Sequence, residues 1–230
     1  MADFDDDLDL DVFISGTDLG GFIQSNLYYN NGGFTFSDAG ISIPKLINGD
    51  ISIADFDKDN AIDVAISGHN ANGKTRTYLY RNNKNGTFSP VVTPFVKLSN
   101  SSSAWLDIEN DGDMDFIISG KDSNSLLKME LYINNLTLGF STITSTGITA
   151  FYSGSLAVGD FNRDSYPDLI VSGINASSRF SDVYIGDGKG QFLPQNYNLP
   201  KVAFSKISVV DFDSDGYQDF SIQGANQTNI

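Results

Sequence analysis

The chain has 230 residues, 40% hydrophobic and 12% aromatic, which suits a globular core and excludes a disordered chain. Its 29 acidic residues against 14 basic ones leave a net charge of −15, which argues against a nucleic-acid binder, since phosphate demands a basic surface. No stretch approaches the roughly 18 apolar residues of a membrane-spanning helix, so no membrane insertion is expected, and the absence of cysteine neither requires nor excludes secretion.

In chain order, Met1 is followed by acids rather than by a basic and apolar leader, so no signal peptide is read there. The first segment is Asp3-Phe4-Asp5-Asp6-Asp7-Leu8-Asp9-Leu10-Asp11, an acidic loop with carboxylates at positions 1, 3, 5 and 9. A short run with apolar residues on both faces follows, Leu10, Val12 and Ile14 against Phe13, which predicts a strand sandwiched between two sheets. Gly16 is expected to end it, and 17–25 reads as a polar loop. Leu27-Tyr28 marks the next strand, Asn30-Asn31-Gly32-Gly33 a hairpin turn, and Phe36 a further strand.

The same order then recurs. The later acidic loops begin at Asp55, Asp107, Asp160 and Asp211, so the steps from Asp3 are 52, 52, 53 and 51 residues. Each later loop is preceded by a predicted strand, at 50–54, 103–106, 155–159 and 206–210, and followed by a strand and a glycine, Gly68, Gly120, Gly173 or Gly224. Tyr28, Tyr80, Tyr132 and Tyr184 recur at steps of 52, as do Phe36, Phe88, Phe140 and Phe192. This constant register makes the aromatic stripe a packing position between sheets rather than a carbohydrate platform. Four short strands per period of about fifty residues, with no helical periodicity, predict an all-β propeller of four-stranded antiparallel blades. The repeats run approximately over 1–49, 50–101, 102–153, 154–205 and 206–230, a single domain of about four and a half blades. Because the first copy lacks its inner strand and the last stops at Gln227-Thr228-Asn229-Ile230, the chain is expected to be a segment of a larger ring.

Oxygens at alternate positions converge on one point when the backbone curls, and the acid at position 9 closes the far side. The side-chain ligands so expected are Asp3, Asp5, Asp7 and Asp11; Asp55, Asp57, Asp59 and Asp63; and Asp107, Glu109, Asp111 and Asp115. The last two loops offer Asp160, Asn162, Asp164 and Asp168, and Asp211, Asp213, Asp215 and Asp219. The carbonyls of Asp9, Ala61, Asp113, Tyr166 and Tyr217, at position 7, would add to each set. Such hard oxygen donors suit Ca²⁺, about five per chain. Without a cation, two carboxylates about 5 Å apart repel by roughly 1 kcal/mol in water and about 3 at an effective dielectric of 20. An EF-hand is excluded, because position 12 is Ile14, Ile66, Ile118, Val171 or Ile222 where that motif needs a bidentate Glu. One such loop is as readily a solvated acidic turn; five in one register are not.

These loops, followed by an apolar strand, a glycine and an aromatic-rich hairpin, resemble the FG-GAP repeats of integrin-alpha type and the related bacterial VCBS repeats, over the whole chain. The resemblance implies a β-propeller, usually seven-bladed, with calcium in the hairpin between the first two strands of a blade. Departures are mild: Leu8, Asn60 and Ser165 replace glycine at position 6, and Glu109 and Asn162 replace aspartate at position 3.

No catalytic constellation is visible: His69 is the single histidine, there is no G-x-S-x-G elbow, and the paired carboxylates belong to the loops, so no enzyme is expected. Asn-x-Ser/Thr triplets at Asn85, Asn100, Asn135, Asn175 and Asn226 fall in predicted turns, as a chain rich in Asn and Ser produces by chance. The resemblance implies an extracellular adhesion or protein-interaction module, with calcium stabilising the fold. A carbohydrate-binding propeller lectin and a non-catalytic arm of a larger secreted surface protein are the alternatives. A protein or glycan ligand is expected on the rim opposite the acidic loops, and further blades from the same parent chain or another copy would complete the ring.

Overall fold

The computed structural model describes residues 1–226. All of its regular structure is strand, arranged in five antiparallel sheets. The first holds β1 (Val12–Thr17), β2 (Ile23–Asn30) and β3 (Phe36–Asp38). The second holds β4 (Ile51–Ala54), β5 (Asp63–His69), β6 (Thr75–Asn82) and β7 (Phe88–Val91). The third holds β8 (Ser99–Leu106), β9 (Asp115–Lys121), β10 (Leu127–Asn134) and β11 (Phe140–Ile143). The fourth holds β12 (Tyr152–Gly159), β13 (Asp168–Ile174), β14 (Arg179–Gly186) and β15 (Phe192–Pro194), and the fifth β16 (Ala203–Val210) and β17 (Asp219–Ala225). Strands follow one another in sequence order within every sheet, the meander of a propeller blade. Among the described residues no helix is long and apolar enough to cross a membrane.

The core lies between the sheets. Each of four apolar clusters joins one sheet to the next, and the second strand of each complete blade (β5, β9, β13) is buried at six of seven positions. That is why these strands are apolar on both faces. The aromatic stripe packs between blades where a blade precedes it: Tyr80, Tyr132, Tyr184 and Phe192 are buried and Phe88 and Phe140 partly so, whereas Phe36, with no described blade before it, is 52% exposed; Val96 N–H donates to the Tyr132 hydroxyl at 2.6 Å. Position 2 of the first four acidic loops packs toward the following blade, with Phe4 against Phe88 and Phe56 against Trp105, both at 6.3 Å between ring centres, whereas Phe212 in the fifth is 62% exposed.

The innermost strands run side by side around the axis. Ser103 N–H donates to Asp50 Oδ2 at 2.8 Å, Leu156 N–H to Ser102 Oγ at 3.1 Å and Ile207 N–H to Ser155 Oγ at 3.2 Å, one step per blade. The sheets do not close into a ring. Apart from an isolated Ala2–Asp11 bridge, β1 has no strand on its inner edge among the described residues, and β17 has none on its outer edge. Ile14 is therefore 52% exposed, whereas its counterparts Ile66, Ile118 and Val171 are buried. The terminal residues 227–230, read above as a stop in mid-blade, lie outside the described residues.

Two features differ from the expectation. The inner strands start earlier than the sequence pattern places them, at Ser99, Tyr152 and Ala203, because each begins with a bulge where the register slips. Asn100, Ser153 and Phe204 stand there in the left-handed region, with φ of 46°, 48° and 50°, and Asn48 (52°) holds the same place before β4. The repeated glycine does not end its strand, which runs one residue further, to His69, Lys121, Ile174 or Ala225. It is instead the point where the bulge presses closest. A Cβ on Gly68 would stand 2.5 Å from Ile47 O, on Gly120 2.9 Å from Ser99 O, and on Gly224 2.9 Å from Ala203 O.

Candidate metal sites

Each acidic loop is the hairpin between the first and second strands of its blade, and its carboxylates divide into distinct tasks. The position-9 acids sit at the start of the second strand; Asp11, Asp63, Asp115 and Asp168 are wholly buried there. One oxygen accepts the N–H of position 2: Phe4 to Asp11 at 2.7 Å, Phe56 to Asp63 at 3.1 Å, Ile108 to Asp115 at 2.9 Å, Phe161 to Asp168 at 2.8 Å. The other accepts the N–H at the end of the third strand, from Asn30, Asn82, Asn134 or Gly186, at 2.7–2.9 Å. Asp219 receives Phe212 N–H at 3.0 Å in the fifth loop.

The position-1 acids curl the loop by accepting N–H groups from positions 5 and 6. Asp59 and Asn60 donate to Asp55 at 2.9 and 2.7 Å, and Asp111 and Gly112 donate to Asp107 at 3.0 and 2.8 Å. Asp3 and Asp211 receive the same pair. Position 5 turns one oxygen to the N–H of position 7: Asp7 to Asp9, Asp59 to Ala61, Asp111 to Asp113, Asp164 to Tyr166 and Asp215 to Tyr217, all at 2.8–2.9 Å. Positions 4 and 6 both take positive φ. Asp6, Lys58, Asn110, Arg163 and Ser214 at position 4 lie between 56° and 64°. Sequence reasoning singled out position 6 from its glycines and missed position 4, where no glycine occurs.

Among the described residues, three groups of acids bring one oxygen each within 4.8 Å of the others: Asp3, Asp5 and Asp11; Asp55, Asp57 and Asp63; Asp211, Asp213 and Asp219. These are positions 1, 3 and 9; position 5 is not in the close group. In the third loop Glu109 lies against Asp115, whose carboxyl is pushed up first by burial and then by Glu109. In the fourth, Asn162 takes the place of the acid and binds Asp164 at both its oxygen and its amide, at 2.9 and 2.8 Å. Burial pushes the Asp63 carboxyl up to about 7, against the pull of its two N–H donors. Burial, followed by Asp11, Asp7 and Asp3, raises Asp5.

A divalent cation fits these loops by two observations. The donor set is all hard oxygen. Two of its oxygens, Asp57 Oδ1 and Asp160 Oδ1, are buried with no hydrogen-bond donor. Such oxygens are costly unless something positive meets them. Asp160 is left so because Asp164 N–H, which would otherwise cap it, turns to Asn162.

A family described as FG-GAP-like repeat matches residues 55–118 and 107–171, two overlapping stretches that each run from one acidic loop through the next and together span about half of the chain. The chain belongs to the FG-GAP-like repeat family. Among solved structures, this FG-GAP-like chain is similar to fructan 1-exohydrolase IIa from Cichorium intybus, crystallised in complex with 1-kestose, with 11% identity and a TM-score of 0.54. The likeness covers 86% of the chain and 46% of that protein, so the chain spans less than half of its length, and what the two share is the propeller fold. No curated protein matches the chain.

The FG-GAP-like loops are also tied to one another. Asn82 Nδ2 reaches back to Phe4 O of the preceding loop at 2.9 Å, and Asn134 Nδ2 to Phe56 O at 2.7 Å. Position 4 reaches forward: Lys58 to Asp113, Asn110 Nδ2 to Ser165 O at 2.8 Å, and Arg163 Nε to Gly216 O at 3.0 Å, its guanidinium 3.5 Å over the Tyr217 ring. The recurrence of Asn30, Asn82 and Asn134 at steps of 52 was the available signal for the first set; turn chemistry alone explained those residues too readily.

Proposed function

We propose that the chain is the calcium-stabilised propeller module of an extracellular adhesion or interaction protein, without enzymatic activity of its own. The observation that carries this reading is the trio of oxygens from positions 1, 3 and 9, with Asp57 Oδ1 buried and unmatched inside the second loop. Calcium would be held there by Asp55, Asp57 and Asp63, and in the corresponding way by Asp3, Asp5 and Asp11 and by Asp211, Asp213 and Asp219. The third and fourth loops, with Glu109 and Asn162, are weaker members of the set. Bound calcium supplies positive charge at the point where the carboxylates converge. Titration calorimetry tests this directly. Two or more calcium sites per chain, with Mg²⁺ binding far more weakly, would support it, and no heat at millimolar calcium would overturn it.

Antiparallel strands place the acidic hairpins on one rim and the loops between second and third strands on the other. The second rim carries the variable segments, the usual place for ligand contacts on a rigid frame. A cleft there of about 550 Å³, between the second and third blades, is lined by Lys74, Arg76, Lys97, Phe95 and Asp122. In this acidic chain the gathering of three cations on that rim favours a protein ligand offering carboxylates. Missing blades of the same repeat type, from the parent chain or another copy, would cover β1 and β17 and complete a ring, seven-bladed on the family pattern. A glycan array tests the lectin alternative. Arg76→Glu abolishing capture of an acidic protein ligand, with no glycan bound, is the outcome this reading expects.

A further inference from the structure

The second loop differs from the others in holding a cation of its own. Arg81, next to last in β6, places Nε 2.7 Å from Asp57 Oδ2 and Nη2 2.7 Å from Asp59 Oδ2, so one planar guanidinium spans positions 3 and 5. Lys84, in the turn that follows, adds an ion pair to Asp59 Oδ1 at 3.5 Å. The guanidinium holds Oδ2 of both acids, while Asp57 Oδ1 is buried and without a donor, and one oxygen of Asp57 belongs to the close group with Asp55 and Asp63.

Among the described residues no other repeat has this arrangement. The residues matching Arg81 are Tyr29, Ile133 and Ile185, and those matching Lys84 are Gly32, Leu136 and Gly188. Lys58 and Arg163 reach only the turn, positions 5 to 7, of the loop after their own. In the first loop no basic side chain pairs with the acids among the described residues, whereas in the second Arg81 pairs with two of them.

We propose that Arg81 is a positioning residue that keeps the second loop in ligand geometry when no divalent ion is present, making it the calcium-independent anchor of the acidic rim while the first loop depends on the ion. This deepens the calcium reading above and rests on it. The guanidinium does two things at once: it cancels the repulsion between Asp57 and Asp59, and by holding Oδ2 of each it leaves Asp57 Oδ1 to an ion. A divalent ion then enters a formed site in the second loop, but must first bring the acids together in the first.

Melting of the full chain in excess calcium and in excess chelator tests this, with Arg81→Met, Arg81→Lys and the transplant Tyr29→Arg. Arg81→Met is expected to melt lower in chelator by about 2–4 °C and to be restored by calcium, so that the calcium-induced rise widens. Arg81→Lys, which keeps the charge but not the fork, falls between. Tyr29→Arg is expected to narrow the rise by stabilising the ion-free chain. Arg81→Met shifting both melts equally, or failing to fold even in calcium, would show ordinary packing and overturn the proposal. A wild-type chain indifferent to calcium would overturn the calcium reading itself, whereas a wild-type response with an unchanged Arg81→Met response would sink the Arg81 role alone.

Discussion

At the scale of the residue, the position-9 aspartates are the most constrained groups in the molecule. Asp63 accepts two backbone N–H groups in a wholly buried place. Asp63→Ala strands both donors, and equilibrium unfolding in urea should show a loss of about 2–4 kcal/mol even with chelator present. The same burial sets a pH response. Asp63 titrates at about 7 in the ion-free fold against 3.8 in the unfolded chain, so its contribution to stability is fully present below about 4 and is lost as pH rises through 7. Ion-free protein should therefore melt higher at pH 5 than at pH 8. With calcium bound, which demands the ionised carboxylate, that difference should shrink or reverse; a larger acid gain in calcium than in chelator would contradict it.

At the scale of the element, the bulged inner strand and the repeated glycine are one device. Gly68 stands at φ 139° with Ile47 O against it, and its N–H donates to Leu98 O at 3.0 Å, where the chain enters the third blade. Gly68→Ala must either move that bulge or break the link between blades, so it should destabilise by about 1–3 kcal/mol. Gly73→Ala is the control for glycine loss alone: it too has positive φ (71°), but a Cβ there meets nothing within 4 Å. Equal urea midpoints for the two variants would argue that backbone strain, not the bulge, is what glycine relieves. The buried Asn134 amide belongs to this scale too. Asn134→Ala leaves Phe56 O without its donor and should cost about 1–3 kcal/mol.

At the scale of the whole molecule, apolar clusters join neighbouring blades, and on the calcium reading proposed above the charge of the acidic rim would be balanced by an external ion. Extracellular modules bind calcium at about 10⁻⁴–10⁻³ M, near the ambient concentration. At a dissociation constant of about 10⁻⁴ M and about 10⁻³ M calcium, each site adds about 1.4 kcal/mol. Three sites, one for each close group of acids, would add about 4 kcal/mol, a large part of the 5–15 kcal/mol of an ordinary domain. Chelation should lower the melting temperature by about 8–16 °C, and Mg²⁺ should restore it poorly because it prefers small octahedral sites. The extracellular placement proposed above stands on this energetics, so identical melts with and without chelator would remove both.

The sequence by itself determined the period, the four-strand order, the acidic hairpins and the packing of the aromatic stripe in the blades that have a predecessor. All of these follow from local residue types recurring in one register, and Tyr80, Tyr132 and Tyr184 lie buried as that register required. It did not determine which task each carboxylate performs, because an aspartate that caps backbone N–H groups and one that faces an ion are the same letter. Only the fold separates position 5, turned to its own backbone, from positions 1, 3 and 9, whose oxygens meet. The bulge was hidden for a related reason: its left-handed place is held by Asn48, Asn100, Ser153 and Phe204, with no glycine to mark it and no one residue type throughout. The grip of Arg81 on Asp57, 24 residues upstream, exists because antiparallel pairing brings the end of β6 beside the preceding hairpin, a juxtaposition that only the tertiary structure decides.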